Sequence, residues 1–173
     1  MDGIEGWHDL YVMLGGSAAA LIGLLFVAVS VHVSYFVDSR AEHVVAAALH
    51  VLVSYLFVLM LSVCVLIPEE SALWLGGELA ALALAYLAWT WRLFGTVTHA
   101  DLSHGPTTSE WTWLLIGAAT CGAGVLIAGL GLAHGGAGAW FLYLLPAACS
   151  LLLFNGVWVS WQLVLRLPVD MPK

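Results

Sequence analysis

Five long stretches almost free of charge, at about 10–37, 41–67, 72–91, 111–132 and 140–167, leave this chain few ways to fold. Each reaches the ~20 residues with which an α-helix crosses the hydrocarbon core of a bilayer. A transmembrane barrel would instead show alternating segments of about ten residues separated by turns, and these runs are too long and too evenly apolar for that. Composition agrees: of 173 residues 62% are hydrophobic and 9% charged, and the mean hydropathy is +1.01, well outside the soluble range. The expected fold is an all-α integral membrane protein, a five-transmembrane-helix bundle in which residues 1–173 form one domain. The opening Met1-Asp2-Gly3-Ile4-Glu5 is acidic where a secretory signal is basic, and the first apolar run exceeds a signal core, so the first span is expected to be retained.

Orientation follows from the basic residues. Arg40, Arg92, Arg166 and Lys173 all fall on one side of a five-span topology, and the positive-inside rule makes that side cytoplasmic. The amino terminus is then outside and the carboxyl terminus inside, in a multi-pass protein of the cell's inner (plasma) membrane. Trp7, Tyr11, Trp74, Trp140 and Tyr143 supply the outer aromatic belt; Tyr35, Trp89, Trp91, Trp111, Trp113, Trp158 and Trp161 supply the inner one. A net charge of −7 without any basic cluster argues against nucleic acid and leaves the lipid bilayer as the first partner.

Polar residues inside the spans are the candidates for function. At about 100° per residue, His43, Ala47, His50, Ser54, Leu61 and Pro68 share one face of the second span, a face that should look inward. A short hairpin turn at 37–41 brings His32 of the first span to the same depth, so three imidazoles are expected to converge there. Imidazole carries protons near neutral pH or binds metal, and ionisable groups at membrane depth mark pathways. Zinc wants three or four ligands in fixed geometry, which this group does not supply, so no metal and no cofactor is expected. Glu78 is the one carboxylate inside a span, with Ser17 as its expected partner at similar depth. Asn155 lies deep in the last span, where its amide is expected to bridge helices. A polar track from Glu78 and Ser17, by Ser54 and Asn155, to His50, His32 and His43 follows from these placements.

Small residues mark packing faces. Gly15, Ala19 and Gly23 recur at four-residue spacing in the first span; Gly117, Gly124 and Gly131 recur at seven in the fourth. Such edges let helix backbones approach where apolar burial gives little drive. They serve the bundle or an oligomer, and a homo-oligomer is expected. Cys64, Cys121 and Cys149 lack metal spacing and read as small buried residues. In the longest connection, His99, Asp101 and His104 lack further donors, and Thr107 with Glu110 reads as a capping box that starts the fourth helix. Pro146 should kink the fifth.

The stretches at 15–30, 68–79 and 155–161 resemble those of small, uncharacterised bacterial multi-span membrane proteins, a resemblance that implies a helical bundle and no activity. Five spans with many tryptophans are also similar to the translocator protein family, whose Trp-x-Pro-Pro signature is absent, and nothing is carried over from it. There is no nucleophile–base pair, acid pair, dinucleotide motif or metalloprotease motif, so no enzyme is expected. The leading expectation is a proton or small-cation channel or carrier that uses Glu78 and the histidines, since a carboxylate and two or more histidines at membrane depth are hard to explain by packing; the alternative is an accessory or assembly subunit of a larger membrane complex that docks through its glycine seams.

Overall fold

Long apolar runs cannot leave backbone N–H and C=O groups unpaired, and a helix pairs them within the segment. A computed structural model describes residues 7–31, 42–67, 71–98, 108–134 and 140–166. Within these limits the chain is five helices: α1 (His8–Val31), α2 (Glu42–Leu66), α3 (Ala72–Thr98), α4 (Thr108–Ala133) and α5 (Trp140–Arg166). All five are long and apolar enough to cross a membrane. The expected turn at 37–41 and the loop with His99, Asp101 and His104 lie outside the described residues.

The helix ends have local causes. Ile67 N–H donates to Cys64 C=O at 3.4 Å, tightening the last turn of α2 just before Pro68. Ser71 caps α3, its hydroxyl accepting from Trp74 N–H at 3.4 Å. α3 continues to Thr98, seven residues past the expected limit of 91, because Arg92 stays on an exposed face and no proline intervenes. α5 runs through Pro146 without ending.

α2, α3, α4 and α5 form a closed ring in which each helix packs against its two neighbours, and α1 lies outside it against α2 and α5. The first ends of α1 and α5 coincide, since Trp7 meets Tyr143 edge-on with ring centroids 5.0 Å apart. Leu61, Leu79, Val125, Leu145 and Leu152 fill the ring, and α1 adds Tyr11, Leu14 and Ala18 from the side. The remaining surface is apolar, with Leu24, Phe26, Leu84 and Phe154 outward. Trp74 and Tyr143 are exposed near one end, and Trp91, Trp158 and Trp161 toward the other. Tyr11 departs from the expected belt: it is buried in the core.

The closest approach is between α3 and α4. A Cβ on Gly76 would stand 2.5 Å from Gly129 O and 2.6 Å from Ala133 N, and one on Gly129 would stand 2.8 Å from Ala80 N. Backbone touches backbone there, so dispersion gains are large for helices that bury no water-exposed surface between them. The expected seam in α4 therefore needs correction. Leu114, Ala118, Cys121, Val125, Ala128 and Leu132 face the core, alternating four and three apart, and Gly122 and Gly129 flank them toward α3. The row of Gly117, Gly124 and Gly131 lies about 80° round from that core row. Gly117 meets Asn155, Gly124 faces open space and Gly131 is only half-buried.

The α1 seam also shifts. Tyr11, Leu14, Gly15 and Ala18 are buried, and a Cβ on Gly15 would stand 3.1 Å from Ser62 Cβ. Ala19 is exposed and Gly23 has nothing within 4 Å. Gly15 belongs to two candidate faces, and the larger apolar area of Tyr11 and Leu14 selects the one that packs.

Gly76→Ala and Gly129→Ala should each lower the thermal stability of the purified protein, by the ~1–3 kcal/mol typical of overpacking or more, because backbone cannot yield as a side chain can. Gly77→Ala and Gly124→Ala, into open space, should be neutral or stabilising by up to ~1 kcal/mol through helix propensity. Melting monitored by size-exclusion chromatography in detergent reads both.

Candidate functional site

The inward stripe of α2 is buried: Ala47, His50, Ser54 and Leu61 all face the ring interior. Opposite them stands Tyr86 of α3. Its ring lies against Phe57, with centroids 4.4 Å apart and planes at 17°, and more loosely against His50, at 6.4 Å and 26°. Phe57 and His50 are two turns apart on one face of α2, so Tyr86 separates an aromatic apolar neighbour from an imidazole.

Hydroxyl groups order this region. Ser54 Oγ donates to His50 C=O at 2.8 Å, and Ser54 Oγ and Tyr86 Oη are 2.9 Å apart. With the serine hydrogen committed to the carbonyl, Tyr86 is the donor to Ser54. Thr90, one turn along α3 and beside the Tyr86 hydroxyl, donates to Tyr86 C=O at 3.0 Å. His50 itself is 1% exposed, and neither Nδ1 nor Nε2 has a hydrogen-bond partner. An unpaired buried polar group costs about 1–3 kcal/mol, so packing alone would favour leucine at this position.

These polar groups form a layer through the ring. On one side lies the main apolar core; on the other lies a small separate cluster of Ala47, Leu114 and Leu115, with Leu93 and Val159 against it. Nearby, Asn155 Nδ2 donates to Leu114 C=O at 3.4 Å and ties α5 to α4, as expected for a buried amide. Gly117 makes room for it, since a Cβ there would stand 3.2 Å from Nδ2.

The expected track does not assemble. Ser17 faces outward and donates to Met13 C=O of its own helix at 2.8 Å. α1 and α3 are not neighbours in the bundle, and Glu78, half-buried on the flank of α3, makes no ion pair or hydrogen bond with another described residue. The separation has a simple cause: α1 packs against α2 and α5, so similar depth does not bring Ser17 to Glu78. Between the level of Glu78 and the Ser54–Tyr86 pair, the interior consists of Val58, Leu61, Leu79 and Ala83, all with 0% exposure. His32 lies outside the described residues; His43 falls within α2, but its side chain is among the undescribed ones. No group of three or more His, Cys, Asp or Glu that could hold a metal occurs among the described residues, and Cys64, Cys121 and Cys149 form no disulfide.

Sequence reading missed Tyr86, Thr90, Tyr55 and Gly156. A Cβ on Gly156 of α5 would stand 2.5 Å from Tyr55 Cε1, so this glycine seats the Tyr55 ring between α2 and α5. The hydroxyls of Tyr55, which has Ser160 beside it, and of Tyr11 are buried without a well-formed hydrogen bond. The available signal was a tyrosine in mid-span, too far from either end to serve a belt, with a threonine one turn on. No protein-family model matches the chain, and no curated protein or solved structure is significantly similar to it.

Tyr86→Phe removes one interhelical hydrogen bond and should cost about 0.6–2 kcal/mol. Gly156→Ala should cost more than Gly117→Ala, because an aromatic ring held between helices yields less readily than an amide tip. Melting temperatures of the three variants in one detergent check the cost of Tyr86→Phe and the order of the two glycine variants.

Proposed function

We propose that this chain is a multi-pass membrane protein, amino terminus outside and carboxyl terminus cytoplasmic, acting as a non-conducting accessory or assembly subunit of a larger membrane complex. The observation that carries this reading is the sealed interior: an apolar layer of Val58, Leu61, Leu79 and Ala83 separates the carboxylate from the buried histidine. A conduction path for a charge through such a layer would be dry and expensive. Small outward residues, Ala19 and Gly23 on α1 and Gly124 on α4, suit close docking by another membrane helix.

Insertion itself is supported by the outer surface. The outward hydroxyls of Ser17, Ser30 and Thr120 each donate to a carbonyl of their own helix, at 2.8, 2.7 and 2.9 Å, and so need no water. A second reading, a proton or small-cation carrier, is favoured by one observation, the fully buried His50 with both ring nitrogens unpartnered.

Proteoliposomes separate the two. The accessory reading expects no flux above protein-free vesicles under a pH or cation gradient; flux in wild type that His50→Ala or Glu78→Gln abolishes would replace it with the carrier. Under the accessory reading the protein also leaves native membranes with a partner in fixed stoichiometry, and Gly23→Ile with Gly124→Ile breaks that association without changing the melting temperature. Reporter fusions at the two termini test the orientation.

A further inference from the structure

The hydrogen bonds around His50 give this layer a role beyond that of an accessory subunit. The three hydroxyls of this layer have all placed their hydrogens: Ser54 on His50 C=O, Tyr86 on Ser54 and Thr90 on Tyr86 C=O. What they still present is lone pairs. The Tyr86 hydroxyl joins Ser54 of α2 to Thr90 of α3, which stands beside it, and the Tyr86 ring lies against the imidazole with centroids 6.4 Å apart. Thr90 is buried, as is His50, whose ring offers one N–H and one bare nitrogen, both unpartnered. The layer is therefore rich in acceptors and poor in donors, and no carboxylate of a described residue is hydrogen-bonded into it.

Its surroundings are lopsided. Toward the end where α1 begins, Phe57 closes on Tyr86 and the main core follows. Toward the other end, among the described residues, stands the small cluster of Ala47, Leu114 and Leu115, with Ala46, Leu93 and Val159 against it. A polar layer held between a thick and a thin apolar barrier is the arrangement of an occluded site.

We infer that His50, Ser54, Tyr86 and Thr90 form an occluded internal binding site for a small neutral hydrogen-bond donor of the size of water, entered through the Ala47–Leu114–Leu115 layer. Such a ligand gives hydrogens to the bare imidazole nitrogen and to the Thr90 hydroxyl oxygen, and takes the imidazole N–H. A single water meets these needs, since it bonds two to four polar partners when buried. An apolar ligand would leave both ring nitrogens unpaired, and a cation would meet the imidazole N–H without a balancing charge.

Access can be measured with Ag⁺, an ion close to water in size that reacts with thiols. In a background with Cys64, Cys121 and Cys149 changed to serine, single thiols are placed at the site by Ser54→Cys, close to isosteric, and by Thr90→Cys. Leu61→Cys marks the thick barrier, and Ser71→Cys, at the exposed start of α3, marks full access. Protein in nanodiscs is exposed to Ag⁺, and the surviving thiol is counted after denaturation. The site thiols should be consumed more slowly than Ser71→Cys but well before Leu61→Cys, and Leu115→Ala should speed their loss severalfold while leaving Leu61→Cys protected.

Two results overturn the inference. Site thiols that survive as long as Leu61→Cys mean a polar layer closed on both sides, and Leu61→Cys consumed as fast as the site thiols means a continuous pore. Either site variant suffices if the other fails to elute as a folded species. Proteoliposome flux is a separate readout, so loss of the accessory reading and loss of this site are distinguishable.

Discussion

Every polar group in this bundle has to find its partner inside the chain. The surface and interior are both apolar, and the cost of an unpaired donor or acceptor rises as water is withdrawn. Helices satisfy the backbone. Serine and threonine hydroxyls then fold back on carbonyls one turn earlier, whether they face outward as Ser17 and Ser30 do or inward as Ser54, Ser62 and Thr90 do. Once those hydroxyls are self-satisfied, they add little to helix association, and contact between helices must come from shape. That is why glycine at Gly76, Gly129 and Gly156 matters more than any polar bridge: each admits a neighbouring backbone or ring that a methyl group would exclude.

Against this rule the Tyr11 and Tyr55 hydroxyls lack partners, and His50 stands furthest apart, with both ring nitrogens unpaired. Imidazole cannot reach back to its own helix as a short hydroxyl does, and its two nitrogens remain unpartnered in a core where the other polar side chains of the layer are paired. Tyr86 makes the surroundings asymmetric. One side of its ring continues into the apolar core through Phe57, and the other looks toward the imidazole. A sealed core and an occluded polar layer are compatible in one molecule, because among the described residues the apolar cluster on one side is large and that on the other small. The accessory role and the small-ligand site therefore answer different questions about the same bundle.

How much was legible from residues alone differs between fold and site. The number and class of the helices followed from hydrophobic run length, and the inward stripe of Ala47, His50, Ser54 and Leu61 followed from helical periodicity, since both are properties of a single segment. Asn155 as an interhelical bridge followed from the cost of an unpaired amide. The proposed pairing of Ser17 with Glu78 used depth, which fixes position along a helix but not which helices are neighbours. The glycine rows did not supply the main packing faces within the bundle for a related reason: spacing of four or seven identifies a face but not which of two adjacent faces packs there, and that choice went to the side chains with more area to bury, Tyr11 and Leu14 on α1 and the row from Leu114 to Leu132 on α4.

By itself the sequence determined that the chain forms five long apolar helices, and which face of α2 turns inward, because length and periodicity act within one helix. Only the tertiary structure decided that four helices close a ring with α1 outside it, that Tyr86 is set between Phe57 and His50, and that Glu78 is cut off from the histidine by an apolar layer. Those outcomes depend on contacts between segments far apart in the chain. They are set by where two backbones can approach without a side chain between them, which at Gly76 and Gly129 is a matter of a few ångströms that no single helix specifies.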